Sequence, residues 1–108
     1  IGEHTNIYCH KGTTIRIGNY TAISSNCLII NVNHKFSRKT GIFNKNLIVK
    51  HVEIGNRVWI GEQCVVLPGS IIRDDVIIGA NSSILGEITS GVYAGTPLKF
   101  IKQIEFDD

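Results

Sequence analysis

The stretch Ile54-Gly55-Asn56-Arg57-Val58-Trp59-Ile60-Gly61-Glu62-Gln63-Cys64-Val65-Val66 decides the fold. Ile54, Ile60 and Val66 stand six residues apart, and Val58 and Cys64, each four places after an Ile, keep the same spacing. Extended both ways, the first series reads Ile48, Ile54, Ile60, Val66, Ile72, Ile78 and Ile84. The second reads Val52, Val58, Cys64, Ser70, Val76, Ser82 and Ile88. An earlier block repeats the pattern with Ile17-Gly18, Ile23 and Ile29, followed four places on by Thr21, Cys27 and Asn33.

A six-residue unit is one short strand and one corner. The aliphatic residue points inward and stacks on its equivalents in neighbouring coils, and the small residue points inward where the wall bends. Glycine after the aliphatic position, at Gly55, Gly61 and Gly79, suits the backbone angles a corner can require. Three units close a coil of about 18 residues, so a chain of this length predicts about six coils. A β-sandwich would alternate with period two and leaves period six unexplained. The expectation is an all-β solenoid forming one domain over 1–108.

Composition agrees. Ile and Val make up 27 of 108 residues, an excess that favours strands over helices. A net charge of +2 does not announce a nucleic-acid partner. Three cysteines, an odd number, argue against a disulfide framework and fit a reducing, cytoplasmic compartment. Cys27 and Cys64 fall on the inward small position and read as buried thiols. No apolar run approaches the ~18 residues of a membrane span. The opening Ile1-Gly2-Glu3 reads like the middle of a repeat, so a trimmed piece is expected.

The two blocks are out of phase: Ile29 to Ile48 is 19 residues. Between them lies His34-Lys35-Phe36-Ser37-Arg38-Lys39-Thr40-Gly41-Ile42-Phe43-Asn44-Lys45-Asn46, where the period stops and basic and aromatic residues enter. A loop ejected from the wall over about 34–47 fits this, and loops on rigid scaffolds commonly carry function. A second irregular segment is the C-terminal tail, about 96–108.

Four segments, Ile54 to Gly61, Val66-Leu67-Pro68-Gly69, Ile78-Gly79-Ala80-Asn81-Ser82 and Ala94-Gly95-Thr96-Pro97, resemble the hexapeptide-repeat acyltransferases. The likeness covers about residues 15 to 105, and it is nearest to the sugar and surface-polysaccharide O-acetyltransferases. It implies a left-handed parallel β-helix and a homotrimer with active sites between subunits. It also implies acetyl-CoA as cosubstrate, no metal, and a sugar or polysaccharide acceptor. His34 matches the family's catalytic base. A sugar hydroxyl is a poor nucleophile at neutral pH, and a neutral imidazole can take its proton as it attacks a thioester. Asn31 and Asn33 flank His34 and are candidates for orienting ring or substrate, Asn33 alternatively as an inward small residue. Trp59 falls on the family's Val-Trp-Ile-Gly, near the catalytic centre; it either walls the acceptor site or packs on the wall.

By the same resemblance Gly61, Gly79 and Ala80 line the pantetheine arm of coenzyme A, Thr96 lies near its nucleotide end, and Lys99 and Lys102 meet its phosphates. The chain departs from many relatives after Ala-Asn-Ser, where Leu85-Gly86-Glu87 stands in place of a Lys-bearing segment. The alternatives are N-acetylation of an amino sugar, acetylation of a xenobiotic or antibiotic on the same fold, and a non-catalytic binding solenoid. A metal-dependent hydratase of this fold would need His residues five apart, and no pair among His4, His10, His34 and His51 has that spacing. With no Ser or Cys in a nucleophile motif beside His34, direct transfer is expected. The loop cations Lys35, Arg38, Lys39 and Lys45 suit either solubility or attraction of an anionic acceptor.

Overall fold

A computed structural model describes residues 1–43 and 45–108 of the chain. Asn44, inside the expected loop, lies outside the described residues. The described residues form fifteen short strands and no helix, so no helix is long and apolar enough to cross a membrane.

Three parallel sheets make the wall. The first holds β1 (Asn6–Tyr8), β4 (Leu28–Ile30), β9 (Val65–Val66) and β12 (Ser83–Ile84). The second holds β2 (Ile15–Ile17), β7 (Val52–Ile54), β10 (Ile71–Ile72) and β13 (Glu87–Ile88). The third holds β3 (Ala22–Ile23), β8 (Val58–Ile60), β11 (Val76–Ile78) and β14 (Gly91–Ala94), with β15 (Lys99–Lys102) added antiparallel to β14. The chain visits the three sheets in strict rotation, so each circuit is one coil of a three-faced wall. Apart stand β5 (Val32–His34) and β6 (Leu47–Val49), an antiparallel pair.

The registers give the length of each circuit. Glu53 pairs with Ile71, Val58 with Val76 and Val65 with Ser83, an advance of 18 residues on every face. Across the interruption Ile15 pairs with Val52, Ala22 with Trp59 and Leu28 with Val65, an advance of 37. Nineteen residues therefore leave the wall together, and the phase is restored once they return. Ile48 is a correction to the sequence reading: it pairs with Asn33 in the excursion and begins no wall repeat. The wall has four coils rather than six. The excursion takes one circuit's worth of chain, the first coil is stretched (Asn6 pairs with Leu28), and the tail runs back along β14.

The inward positions are as expected. Ile23, Ile29, Ile54, Ile60, Val66, Ile72, Ile78 and Ile84 are buried, and so are Cys27, Val52, Val58, Cys64, Ser70, Val76 and Ser82. Asn33 departs from the pattern and is exposed, because the chain has already left the wall at β5. The small inward residues also satisfy corner carbonyls that face no strand partner. Thr21 Oγ1 donates to Gly55 O at 2.7 Å, the Cys27 thiol to Gly61 O at 3.2 Å, and the Cys64 thiol to Gly79 O at 3.2 Å. Ser82 Oγ donates to Gly79 O at 2.7 Å and accepts from Gly95 N at 2.9 Å.

The glycines do a different job from the one their spacing suggested. Gly55, Gly61 and Gly79 carry no positive φ. A Cβ on Gly61 would lie 2.8 Å from Ala80 N and 2.9 Å from Ile78 O, so glycine here lets one coil sit directly on the next. The left-handed corner position falls instead on the residue before the small inward one, at Tyr20, Asn26, Arg57, Gln63, Asp75 and Asn81. Each costs about 1–2 kcal/mol of local strain, held by the hydrogen bonds of the coils above and below.

Candidate active site

His34 ends β5, where the chain leaves the wall. Its backbone pairs with Leu47 of the returning strand, and its N–H donates to Asn33 Oδ1 at 2.9 Å. The two contacts fix the backbone of His34 while the residue stays exposed. Beside it is a cavity of about 350 Å³ lined by Tyr8, Leu28, Ile30, Val32, Asn33 and His34. No Ser or Cys is among these residues.

Asn31 has another task than orienting His34. It is fully buried at the root of the excursion. Its amide donates to Thr13 Oγ1 at 2.8 Å and Thr14 O at 3.3 Å, and its Oδ1 accepts the His10 N–H at 2.9 Å. These bonds tie the stretched first coil to the excursion and occupy the amide. Asn33, by contrast, reaches the cavity.

Trp59 lies in the middle of the third face, in register between Ala22 and Ile77, and is 56% exposed. It divides two cavities. One, of about 430 Å³, is lined by Ser24, Trp59, Gly61, Glu62, Ile77, Ile78, Gly79 and Ala80. Four residues expected at the site, Trp59, Gly61, Gly79 and Ala80, thus share one groove. At Gly61 its floor is bare main chain, because the coil-to-coil contact admits no larger side chain there. A narrow, flexible, amide-bearing chain such as a pantetheine arm fits such a floor. The other cavity, of about 310 Å³, includes Tyr20, Arg57, Asp75, Ile104 and Phe106, so the tail lies against the flank of Trp59.

Lys99 and Lys102 are exposed on β15. Lys99 pairs with Ala94 of β14, whose Cβ would be 3.1 Å from a Cβ built on Gly79 at the end of β11, so the cation stands two strands beyond the last strand of the groove. Thr96 is exposed, and its Oγ1 lies 3.2 Å from Ser83 Oγ. The departure at Leu85-Gly86-Glu87 has a structural counterpart. Ile71 pairs with Glu87 and Val76 with Gly91, so the last coil advances by 16 and then 15 residues. Glu87 is bound by Arg73 at 2.6 Å.

A larger cavity, about 730 Å³ on the second face, holds none of the expected residues; it is a trough whose lining includes Arg16, Glu53, Arg73 and Asp74. Cys64 is buried and its thiol is pushed up by desolvation, which removes it as a nucleophile. Cys9 is exposed in the stretched first coil. Tyr8 and Ser24 line the two cavities and were not singled out from sequence. Tyr8 stands in register with Ile30, but the irregular first coil hides that register. Within one chain the His34 cavity and the Trp59 groove share no residue: one opens on the first face, the other on the third.

Residues 51–86 match the bacterial transferase hexapeptide family (six repeats). The chain is 38% identical over 109 residues to WbbJ of Escherichia coli strain K12, provisionally named a lipopolysaccharide biosynthesis O-acetyl transferase; 91% of this chain and 56% of that protein are covered. A maltose O-acetyltransferase of Clostridium difficile 630 superposes with a TM-score of 0.79 at 31% identity, covering 97% of this chain and 58% of that one. A galactoside acetyltransferase in complex with coenzyme A gives a TM-score of 0.82 at 29% identity, covering 94% and 50%. The chain thus spans 50% to 58% of the length of these relatives. The repeat, the three-faced wall and these likenesses together place the chain in the bacterial hexapeptide transferase family.

Proposed function

We propose that the protein is an acetyl-CoA-dependent O-acetyltransferase that acylates a hydroxyl of a sugar or polysaccharide, with His34 as the general base. The observation that carries the proposal is the placement of His34. It is an exposed imidazole beside a cavity, with its backbone held by β6 and by Asn33 where the rigid wall releases the excursion. In this reading the imidazole takes the acceptor's hydroxyl proton as the oxygen attacks the thioester carbonyl. The carbon–sulfur bond breaks, the thiolate leaves, and the imidazolium returns the proton to it. In this reading transfer is direct, with no Ser or Cys among the residues lining the His34 cavity.

The donor occupies the groove of Trp59, Gly61, Gly79 and Ala80, its phosphates toward Lys99 and Lys102. Its likeness to a galactoside acetyltransferase solved with coenzyme A supports this reading. His34 and the groove open on different faces of one chain; in the homotrimer that the family resemblance implies, the site is completed by the His34 of one subunit and the groove of the next. The coil is left-handed, as the family resemblance implies. The test is release of free thiol from acetyl-CoA by purified protein with a panel of sugars. Acetylated hydroxyls support the reading; transfer only to amino groups assigns the protein to N-acetylation instead.

A further inference from the structure

We propose that the acceptor is an acidic polysaccharide, gathered to His34 by the cationic excursion between β5 and β6. The inference deepens the O-acetyltransferase reading and rests on it for the chemistry, though not for the binding. It begins with how charge is divided along the chain. Residues 1–52 carry seven Lys or Arg and a single carboxylate, Glu3, whereas residues 53–108 carry four cations and eight carboxylates. The coils stack in chain order, so this division runs along the stacking direction of the wall.

The division is sharpened by pairing. The three salt bridges found among the described residues join Arg57 to Asp74 and Asp75 and Arg73 to Glu87, all in the second half. Both arginines of that half are thereby neutralised. In the excursion Arg38, Lys39 and Lys45 are exposed and have no ion-pair partner among the described residues. No carboxylate occurs between Glu3 and Glu53 that could serve as one.

These cations stand on the same antiparallel excursion as His34, and the lining of the His34 cavity contains no charged carboxylate. Phe36 and Phe43, 82% and 88% exposed, alternate with the cations and offer ring faces to the apolar faces of sugar units. Deprotonating a neutral hydroxyl requires none of this charge. What uncompensated charge supplies is steering and local concentration of a polyanion, worth about 10 to 10³ in association rate and steeply salt-dependent. A neutral acceptor would gain nothing from it.

The test compares oligogalacturonate with maltooligosaccharide of equal length as acceptors, at low and high ionic strength. The expected result is a kcat/KM at least about tenfold higher for the acidic oligomer at low salt, collapsing at high salt. The triple variant Arg38→Gln, Lys39→Gln, Lys45→Gln should raise KM for the acidic oligomer about tenfold and leave kcat with the neutral one unchanged. Equal use of both oligomers overturns the proposal. So does a rise in KM for acetyl-CoA alone, which would give these cations to the donor's phosphates. Stronger retention on phosphatidylglycerol vesicles than on oligogalacturonate also overturns it, in favour of a membrane surface. Equilibrium binding of oligogalacturonate to His34→Ala, without acetyl-CoA, separates the two readings. Binding there with no transfer by the wild-type protein removes the transferase reading and retains the anionic-glycan site.

Discussion

Residues 52–84 and residues 31–49 belong to one continuous chain and behave in opposite ways. In the first stretch every sixth position is buried, every circuit takes 18 residues, and side-chain hydroxyls and thiols are spent on corner carbonyls. In the second the strands turn antiparallel, aromatic rings and cations face outward, and a histidine is left exposed beside a cavity. The difference teaches that the wall consumes its side chains in holding itself together. Groups available for chemistry are the ones the repeat has released.

The comparison breaks most sharply on paired truncations from a single sequence series. Ile60→Ala should cost about 2–5 kcal/mol, because Ile60 is fully buried and stacked between coils. Ile48→Ala, twelve residues earlier in the same period, should cost less than half of that, since Ile48 is only half-buried in the excursion. Denaturant unfolding of both variants checks the ordering, and equal losses would return Ile48 to the core.

The junction between the two regions comes next. Asn31→Ala should cost about 1–3 kcal/mol, since it leaves the His10 N–H without its acceptor and Thr13 Oγ1 and Thr14 O without their amide donor. It should also loosen the first coil before the wall. Hydrogen exchange at residues 10–14 measures this, with little change expected at 58–78.

The smallest effect belongs to the wall's outer charges. Arg57 holds the Asp75 carboxyl below the ordinary carboxylate range through a hydrogen bond at 2.7 Å and its charge. A depressed folded-state pKa means the stabilisation is complete above the unfolded value of about 3.9. It is lost as pH falls through the lower folded value. Asp75→Asn should therefore lower Tm slightly at neutral pH. Its difference from wild type should shrink to nothing in strong acid, as melting curves across acid pH would register.

Much of this was legible in the sequence because burial repeats with the backbone. Period six named the inward rows, including Cys27 and Cys64, with no knowledge of the sheets. It failed at Ile48, where aliphatic character continued by chance of register after the chain had left the wall. It also failed at Asn33, which kept the spacing but not the environment. The glycines were found but assigned the wrong reason, since spacing along one chain cannot register the coil lying above. The groove residues Gly61, Gly79 and Ala80 came from family resemblance, and the structure gathers them with Trp59 in one place. Tyr8 escaped because its neighbour Ile30 lies across an irregular coil, and no period connects the two.

The central claim is that the released histidine performs the proton transfer while the wall holds it and seats the donor. His34→Ala tests that claim most directly, with thiol release from acetyl-CoA measured beside the thermal melt of the same sample. The account predicts a fall in acceptor-dependent transfer of about 10² to 10⁴, with an unchanged Tm. Transfer at the wild-type rate in a folded His34→Ala protein would contradict it.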